Sequence, residues 1–279
     1  MIVKQHTALY TNLDIEYNQA MSGKYEDLSV TDCWVNLPSQ IVDYVNGKCI
    51  AGIKNNKISG FWRPMICFGS DSFQKEQIKR LYNICCNICY QDYLIDGNLS
   101  VISKYLLAKG YEVKPYYTQI IDLTKSVEEL HSDLRKSYKS LINKHRVYNC
   151  SVKPLKTLHL ELKGNTRPDS TWDIQEQMII AKQAFCLASG AITQLTMIPD
   201  AAILVYYNEH CAYYASASAK IDSHHLIWAA ILKAKELGIK SFEIGQQIYD
   251  GTEKEKGISN FKTGWGGQTK MRLDLRKNK

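Results

Sequence analysis

The strongest constraint on the fold of this chain is one order of predicted elements that occurs twice. Each half contains the patterns of a β-hairpin, a helix, a strand, a second helix and a final strand. In the first half, these elements are predicted over residues 48–54 with 57–68, then 73–91, 93–95, 100–108 and 111–123. In the second half, they are predicted over residues 201–207 with 211–219, then 224–237, 241–244, 258–262 and 269–275. We therefore predict an α/β fold with mixed sheets (α+β in character), built from two similar units.

A connecting helix is predicted between the two patterns, over residues 126–148. Apolar residues recur there at helical spacing from Val127 to Leu141. Ser126 followed by Glu129 matches a capping box at the start of the helix.

Two further elements are predicted in front of the second pattern. Residues 150–156 have the pattern of a strand, and residues 172–189 that of a helix. The expected organisation is therefore a first unit over residues 1–125, a basic connecting helix over 126–149 and a second unit over 150–279.

The positive charge of the chain is concentrated in its middle. The sequence has 35 Lys and Arg and 28 Asp and Glu, which gives a net charge of +7. No acidic residue lies between positions 135 and 160, whereas that segment contains Arg135, Lys136, Lys139, Lys144, Arg146, Lys153 and Lys156. On one helix, Arg135, Lys139 and Arg146 would lie along one flank. This flank is either an ordinary solvated face or a site for phosphate groups.

The composition is typical of a soluble globular protein. Hydrophobic residues make up 45% and charged residues 23% of the chain, which excludes a disordered protein. The apolar runs are too short to cross a bilayer, and residues 1–6 lack the apolar core of a secretion signal. We therefore expect a cytoplasmic protein without a transmembrane segment.

Nine cysteines are an odd number, and without a secretion signal we expect no disulfide framework. Cys85, Cys86 and Cys89 fall in an apolar helical pattern, where cysteine packs as a small hydrophobic residue. No second Cys-x-x-Cys pair completes a set of zinc ligands, so core packing is favoured over a metal site.

An ordered set of motifs occurs near the C-terminus. A helix that ends in Gly238 is followed by Ser241-Phe-Glu-Ile-Gly245 and then by Gly257-Ile-Ser-Asn-Phe-Lys-Thr-Gly-Trp-Gly-Gly267. Upstream, Ile121-Asp-Leu-Thr precedes Leu134-Arg-Lys-Ser-Tyr-Lys. These segments, in this order, resemble the FemABX family of acyltransferases, which includes the peptidoglycan-bridge aminoacyltransferases. The resemblance implies two tandem GNAT-like units, one in each half of the chain.

The chain departs from the family pattern in two respects. It lacks the long antiparallel coiled coil that some cell-wall members carry. It also lacks the glycine-rich pyrophosphate loop of ordinary GNAT enzymes, and Lys220-Ile-Asp-Ser-His-His225 occupies that place. The missing loop weakens the case for acetyl-CoA held in the usual way.

The resemblance implies an N-acyltransferase with a role in cell-envelope biogenesis. It would transfer an aminoacyl or acyl group to an amine of a sugar, a peptide or a cell-envelope precursor. The implied catalytic residues are Lys262, Tyr249 and Glu243, with Lys262 as the cation that stabilises an oxyanion or the leaving group. The implied substrate-binding residues are Arg135, Lys139, Lys144, Arg146, Asn260, Phe261 and Arg63. No metal is implied.

The donor and the partners follow from the same resemblance. We expect aminoacyl-tRNA or acyl-CoA as the acyl donor and no tightly bound cofactor. The expected partner is a phosphate-bearing acceptor, a nucleotide- or lipid-linked sugar or peptide, with tRNA as a further candidate.

Tyr213 and Tyr214 point to opposite faces of a predicted strand, so one of them should be in the core and the other could line the cleft. His224 and His225 begin a helix, where histidine is more often a capping or surface residue than a base.

Two alternatives to this function stay open. One is an acyl-CoA-dependent amino-sugar N-acyltransferase that acts in surface polysaccharide biosynthesis. The other is a non-catalytic module that binds RNA or a glycan through its basic helix.

Overall fold

The computed structural model describes most of the chain from Gln40 to Lys277. The described residues are 40–44, 49–54, 57–59, 66–67, 71–84, 86–92, 94, 97–167, 169–180, 182, 184–190, 199–207 and 211–277. They fall into two compact units. The first contains the described residues up to Tyr117 together with those from Met271 onwards, and the second runs from Thr118 to Lys270. The predicted boundaries at residues 125 and 150 stay a prediction.

The first unit contains a small antiparallel sheet and a second group of elements. The sheet consists of β1 (Gln40–Tyr44), β2 (Cys49–Lys54), β3 (Lys57–Ser59) and β4 (Ile66–Cys67), and β2 pairs with each of the others. The second group consists of α1 (Asp71–Ile84), β5 (Cys89–Asp92), α2 (Val101–Ala108), the start of β6 (Glu112–Asp122) and the end of β12 (Gln268–Arg276). Strand β5 pairs with β12 in antiparallel register. Ile78, Ile102 and Leu275 are fully buried in the core of this group.

Cys86 and Cys89 do not lie on a helix, so the helical prediction is wrong for these two residues, and Cys85 lies outside the described residues. Helix α1 ends at Ile84, and β5 begins earlier than the predicted strand. All four residues of β5 are buried, so the strand has no alternation of buried and exposed residues to distinguish it from a helix. The Tyr111 hydroxyl donates to the Cys86 carbonyl at 2.5 Å and accepts from the Ile88 amide at 3.0 Å. This contact from a residue over twenty positions away holds the turn that separates α1 from β5.

The second unit contains a sheet with helices packed on it. Its helices are α3 (Val127–Ser132), α4 (Lys136–Lys139), α5 (Val152–Lys163), α6 (Asp169–Ile180), α7 (His224–Glu236) and α8 (Glu253–Thr263). Its further strands are β7 (Val147–Cys150), β8 (Ala184–Ser189), β9 (Ala201–Tyr207), β10 (Cys211–Ala219) and β11 (Ser241–Gln247). The strand order is β6-β11-β10-β9-β8-β7. The pairs β7–β8, β8–β9 and β9–β10 are antiparallel, whereas β10 and β11 are parallel. The predicted mixed α/β class is confirmed.

The continuous connecting helix is also a wrong prediction. The capping box at Ser126 and Glu129 is present, but α3 ends at Ser132 and the chain bends at Arg135. The Arg135 amide donates to the Gly264 carbonyl at 2.8 Å, and its backbone leaves the helical region at φ −52° and ψ 136°. Since only the short α4 follows, Arg135, Lys139 and Arg146 do not lie along one helix flank.

Two elements in front of the second pattern differ from the predictions as well. The predicted helix over 172–189 is α6 followed by β8, and the predicted strand over 150–156 is the end of β7 followed by α5. All six residues of β8 are buried, so the apolar residues Phe185 and Leu187 fit the spacing of a helix although they lie on a strand.

Within the described parts of the chain, no helix has both the length and the apolar character needed to span a membrane.

Gly264 is in close contact with Tyr138 in the core of the second unit. Tyr138 and Trp265 are buried, with ring centroids 5.2 Å apart. A Cβ at position 264 would lie 2.5 Å from two carbons of the Tyr138 ring. Only glycine therefore lets α4 and the end of α8 approach each other this closely.

The Gly264→Ala variant should be less stable than the wild type, because the added methyl group displaces the Tyr138 ring. We expect a loss of about 1–3 kcal/mol, as for other overpacked cores. Gly257 is the matched control: it lies on α8, and a Cβ there meets no atom within 4 Å. Gly257→Ala should stabilise the helix by up to about 1 kcal/mol. Urea unfolding of both variants measures the difference, and equal effects would contradict the packing argument.

Candidate active site

Strands β10 and β11 are paired over only part of their length. Their parallel register covers Cys211 with Ser241, Ala212 with Phe242 and Tyr213 with Glu243. Strand β10 then has an irregularity between Tyr214 and Ser216 and continues in register with β9. The parallel pairing thus ends at Tyr213 and Glu243, in the middle of the sheet. Side chains just beyond this point form the candidate site.

Lys262 lies at the end of this pairing. Its Nζ donates a hydrogen bond of 2.5 Å to the carbonyl of Gln246 on β11. A Cβ at Gly245 would lie 3.7 Å from the Lys262 Nζ and 3.7 Å from the Tyr213 hydroxyl. The ammonium and the hydroxyl are therefore both adjacent to the same glycine, whose φ of +99° also disfavours a side chain. The sequence predicted that one of Tyr213 and Tyr214 lines the cleft. The Tyr213 hydroxyl lies beside Gly245, and its role in a cleft stays a prediction.

Glu243 is the buried acidic group near Lys262. It is 1% exposed, and the Thr118 hydroxyl donates to its Oε1 at 2.6 Å. Burial lowers the pKa of Lys262 below the ordinary value of 10.5, and the negative charge of Glu243 acts in the opposite direction. The carboxylate thus helps to keep the amine protonated.

Helix α8 is held against the loop after β11 by a reciprocal contact. The Ser259 hydroxyl donates to the Ile248 carbonyl at 3.0 Å and accepts from the Ile248 amide at 2.7 Å. A capping box between Thr252 and Glu255 begins the helix. Since Lys262 follows Ser259 by three positions, both lie on the same helix face. The contact at Ser259 therefore directs Lys262 towards β11.

Arg135, Asn260 and Phe261, three of the predicted substrate-binding residues, are brought together. The Arg135 guanidinium donates to the Asn260 carbonyl at 2.8 Å and to the Asn260 Oδ1 at 2.7 Å. The Tyr138 hydroxyl donates to the Phe261 carbonyl at 2.9 Å. These bonds tie the segment around α4 to the end of α8, next to Lys262. A substrate-binding role for the three residues stays a prediction.

Tyr249 is on the loop between β11 and α8 and is 52% exposed. Its hydroxyl lies 3.4 Å from both the Gln247 Oε1 and the Thr269 Oγ1. Gln247 is buried and bonds to Gln119 at 3.0 Å, so a small polar network holds the tyrosine. Its predicted catalytic role is not tested by these contacts.

The other predicted phosphate-binding residues are separated. Lys139 Nζ donates to the Ser132 carbonyl at 3.1 Å, and Lys144 lies 3.8 Å from the Asp222 carboxylate. Arg146 is exposed just before β7. Arg63 lies outside the described residues.

His224 and His225 differ in their surroundings at the start of α7. The Asp222 Oδ1 lies 3.2 Å from His224 Nδ1 and accepts from the His224 amide at 3.3 Å. His224 packs against the Tyr138 ring, with centroids 4.3 Å apart. His225 is 1% exposed, lies 2.5 Å from the Ser189 hydroxyl through Nε2, and burial lowers its pKa to about 4. His225 is therefore a buried core residue and not a surface residue.

Arg167 is a candidate residue that the sequence analysis missed. It is partly buried, donates to the Ser216 hydroxyl on β10 at 2.9 Å and lies 5.2 Å from the Trp172 ring. Within the described parts of the chain it forms no ion pair, and burial lowers its pKa. Trp172 Nε1 is buried next to it and has no hydrogen-bond partner among the described residues. A single arginine in a loop has no signal in the sequence, so only the fold identifies this site.

Three solved structures share this fold along nearly the whole chain. The crystal structure of FemX superposes with a TM-score of 0.67 at 13% identity, over 96% of this chain and 96% of that chain. L-PGS from Bacillus licheniformis has a TM-score of 0.64 at 11% identity, over 96% and 91%. A tandem GNAT protein from the clavulanic acid biosynthesis pathway has a TM-score of 0.50 at 10% identity, over 94% and 92%.

The predicted FemABX-like, tandem GNAT fold is therefore confirmed. Neither a protein-family model nor a curated protein matches the sequence. At these identities the likeness concerns the fold.

The Lys262 amine should lose its proton at a lower pH than an exposed lysine. Lys125, whose ion pair with Asp133 raises its pKa, is the internal reference. NMR of the protein with ¹³C-dimethylated lysines should show Lys262, assigned through Lys262→Arg, titrating well below Lys125. Glu243→Gln should lower the Lys262 pKa further, because it removes the charge that stabilises the ammonium. A Lys262 titration at or above that of Lys125 would contradict the placement.

Proposed function

We propose that the protein is an N-acyltransferase that transfers an aminoacyl or acyl group to an amine of a sugar, a peptide or a cell-envelope precursor. The observation that carries the proposal is the position of Lys262. Its Nζ and the Tyr213 hydroxyl both lie beside Gly245, where the pairing of β10 and β11 ends. The FemX and L-PGS folds support the same class of reaction.

Acyl transfer to an amine passes through a tetrahedral intermediate with a negatively charged oxygen. In the proposed reaction, the neutral amine attacks the carbonyl carbon of the donor, and the Lys262 ammonium stabilises the oxygen as its charge develops. The Tyr213 hydroxyl, on the adjacent strand β10, is a second hydrogen-bond donor for this oxygen. The partly buried setting of Lys262 strengthens this interaction, because less water screens the charges.

The intermediate then collapses, and the bond from the carbonyl carbon to the donor oxygen of a tRNA ester or the sulfur of a CoA thioester breaks. The proton that the amine loses passes through solvent to the departing oxygen or sulfur.

Glu243 supports this step from inside the protein. It is buried and bonded to Thr118, so a direct proton transfer from a bound substrate amine is not favoured. Its charge instead raises the pKa of Lys262 and maintains the cation. We therefore assign Glu243 as a positioning residue and Lys262 as the catalytic one.

Arg167 is the proposed contact for an anionic group of a substrate, in addition to the predicted basic residues. Its guanidinium is held by Ser216 and Trp172 on the β10 side of the second unit and has no carboxylate partner there among the described residues. A guanidinium in this setting suits a carboxylate or phosphate group. A phosphate-bearing acceptor, as inferred from the resemblance, would satisfy it.

The start of α7 favours an aminoacyl donor over an acyl-CoA donor. The positive end of a helix is a usual site for a pyrophosphate. Here the Asp222 carboxylate already accepts from the His224 amide, and its negative charge would repel a second anion. Acyl-CoA-dependent transfer to an amino sugar stays the second candidate, because the tandem GNAT fold also suits it.

The donor is tested by incubating the protein with aminoacyl-tRNA or acyl-CoA and an amine acceptor and following the acylated product by mass spectrometry. We expect product from aminoacyl-tRNA and little from acyl-CoA. Asp222→Asn should not reduce transfer from aminoacyl-tRNA. Transfer from acyl-CoA alone would reverse the order of the two candidates, and RNA binding without transfer from any donor would favour a binding module.

Removing the Lys262 ammonium should reduce the rate of transfer strongly. For Lys262→Met we expect a fall in kcat of about 10²–10³-fold, as when an oxyanion donor is lost. Lys256→Met on the same helix is the matched control, since Lys256 pairs with exposed Glu253, and its kcat should stay within about twofold of wild type. Circular dichroism checks that both variants fold. Similar rates for the two variants would overturn the role of Lys262.

The same role predicts the pH dependence of transfer. Lys262 is a cation below its pKa, so its contribution to kcat should be complete below that pKa and be lost as pH rises through it, below the ordinary 10.5. On the acidic side, kcat should follow the ionisation of the acceptor amine, which must be neutral to attack. In Glu243→Gln the contribution of Lys262 should be lost at lower pH, since the charge that raises the Lys262 pKa is removed. A pH profile identical to that of the wild type would argue against Glu243 as the positioning residue.

Arg167→Met should weaken acceptor binding more than it slows chemistry. We expect KM for a phosphate-bearing acceptor to rise by about 10–100-fold with little change in kcat, as for a lost charged hydrogen bond. Lys163→Met, which removes an exposed positive charge at the end of α5, is the control. Unchanged KM in Arg167→Met would exclude the proposed contact.

A further inference from the structure

Two cysteines of the second unit are adjacent on neighbouring strands. Cys150 ends β7 and Cys186 lies on β8, and the two are directly opposite in the antiparallel register. The Cys150 thiol donates to the Cys186 sulfur, and the two sulfur atoms are 3.3 Å apart. Both are free thiols in the structure.

The backbone geometry of this pair suits a disulfide. Opposite residues of an antiparallel pair have Cα atoms about 4.5 or 5.5 Å apart. Both separations lie within the range of about 4.4–6.8 Å found across disulfides. The sulfur atoms need to approach by a little over an ångström to reach a bond length of about 2.05 Å. Rotation of the side chains supplies such a movement without a shift of the strands.

The two thiols differ in access and surroundings. Cys150 is partly exposed on β7, the last strand in the order of the sheet, whereas Cys186 is 2% exposed. Cys150 lies just before α5 and donates its hydrogen bond to the Cys186 sulfur. The hydrogen bond with Cys150 and burial raise the pKa of the Cys186 thiol. Cys150 is thus the accessible nucleophile, and Cys186 is its buried partner.

We propose that Cys150 and Cys186 form a reversible disulfide with a low-molecular-weight disulfide, such as oxidised glutathione, as the oxidant. The Cys150 thiolate attacks one sulfur of the oxidant, forms a mixed disulfide and releases one thiol. Cys186 then loses its proton to solvent, attacks the Cys150 sulfur and releases the second thiol. The protein loses two hydrogen atoms, and one molecule of oxidant becomes two thiols.

This disulfide links β7 to β8 across 36 residues, a segment that includes α5 and α6. A cross-link of this length restricts the unfolded chain, so the oxidised second unit should resist unfolding more than the reduced one. The inference is independent of the proposed transfer reaction.

The test uses the full chain incubated with oxidised glutathione, alkylated, digested with trypsin and analysed by mass spectrometry. No Lys or Arg lies between Gln183 and Lys220, so one tryptic peptide contains both Cys186 and Cys211. Cys211→Ser therefore assigns the linkage without ambiguity. We expect a cross-linked peptide joining Cys150 to Cys186, loss of two thiols and reversal by dithiothreitol. The oxidised form should also have a higher Tm than the reduced form.

Further variants and outcomes separate this pair from other cysteines. Cys150→Ala and Cys186→Ala should each abolish the cross-link and the change in Tm, and Cys211→Ser should retain both. Three results would overturn the proposal: two alkylated thiols at Cys150 and Cys186 after oxidation, a mixed disulfide that persists at Cys150, or pairing with another cysteine. The peptide assignment in Cys211→Ser decides the matter even where an alanine variant fails to fold.

Discussion

The early end of the pairing between β10 and β11 is the constraint on which the candidate site depends. Past Tyr213 and Glu243 the two strands have no further parallel register, and Gly245 follows two residues after Glu243 on β11. A side chain at position 245 would occupy space next to both the Lys262 ammonium and the Tyr213 hydroxyl. The glycine, the lysine and the tyrosine therefore form one arrangement, although they come from three separate elements. The proposed acyl transfer uses this cation, beside the end of the strand pairing, to stabilise the developing negative charge.

The position of Lys262 depends in turn on contacts made by the segment around α4. The backbone of Arg135 and the hydroxyl of Tyr138 bond to the end of α8, and Gly264 leaves room for the tyrosine ring. Ser259 fixes the same helix to the loop after β11. Two motifs more than a hundred residues apart thus support each other, which gives a physical reason for their joint occurrence. Arg135 and Tyr138, in the basic segment, therefore stabilise the position of α8, whether or not this segment also binds a substrate.

In this unit, the burial of single basic residues indicates the candidate site better than the number of basic residues in a segment. The seven basic residues between positions 135 and 160 predicted one phosphate-binding flank, but Arg135 bonds to Asn260 and Lys144 lies beside Asp222. Lys262 and Arg167 have the partly buried settings in which a cation interacts strongly with an anion. The net charge of +7 therefore did not locate the candidate site, whereas the environment of two single residues does.

The sequence by itself determined the α/β class, the β9–β10 hairpin, α7, β11, α8 and the identity of Lys262 as the leading candidate. These features depend on local periodicity and on an ordered motif, both of which are properties of neighbouring residues. Only the tertiary structure decided that the connecting helix breaks at Arg135, since the responsible hydrogen bond goes to Gly264. It likewise brought Tyr213 to Lys262, left Arg167 without an acidic partner among the described residues and placed Cys150 opposite Cys186. Such contacts join residues far apart along the chain, and local patterns carry no information about them.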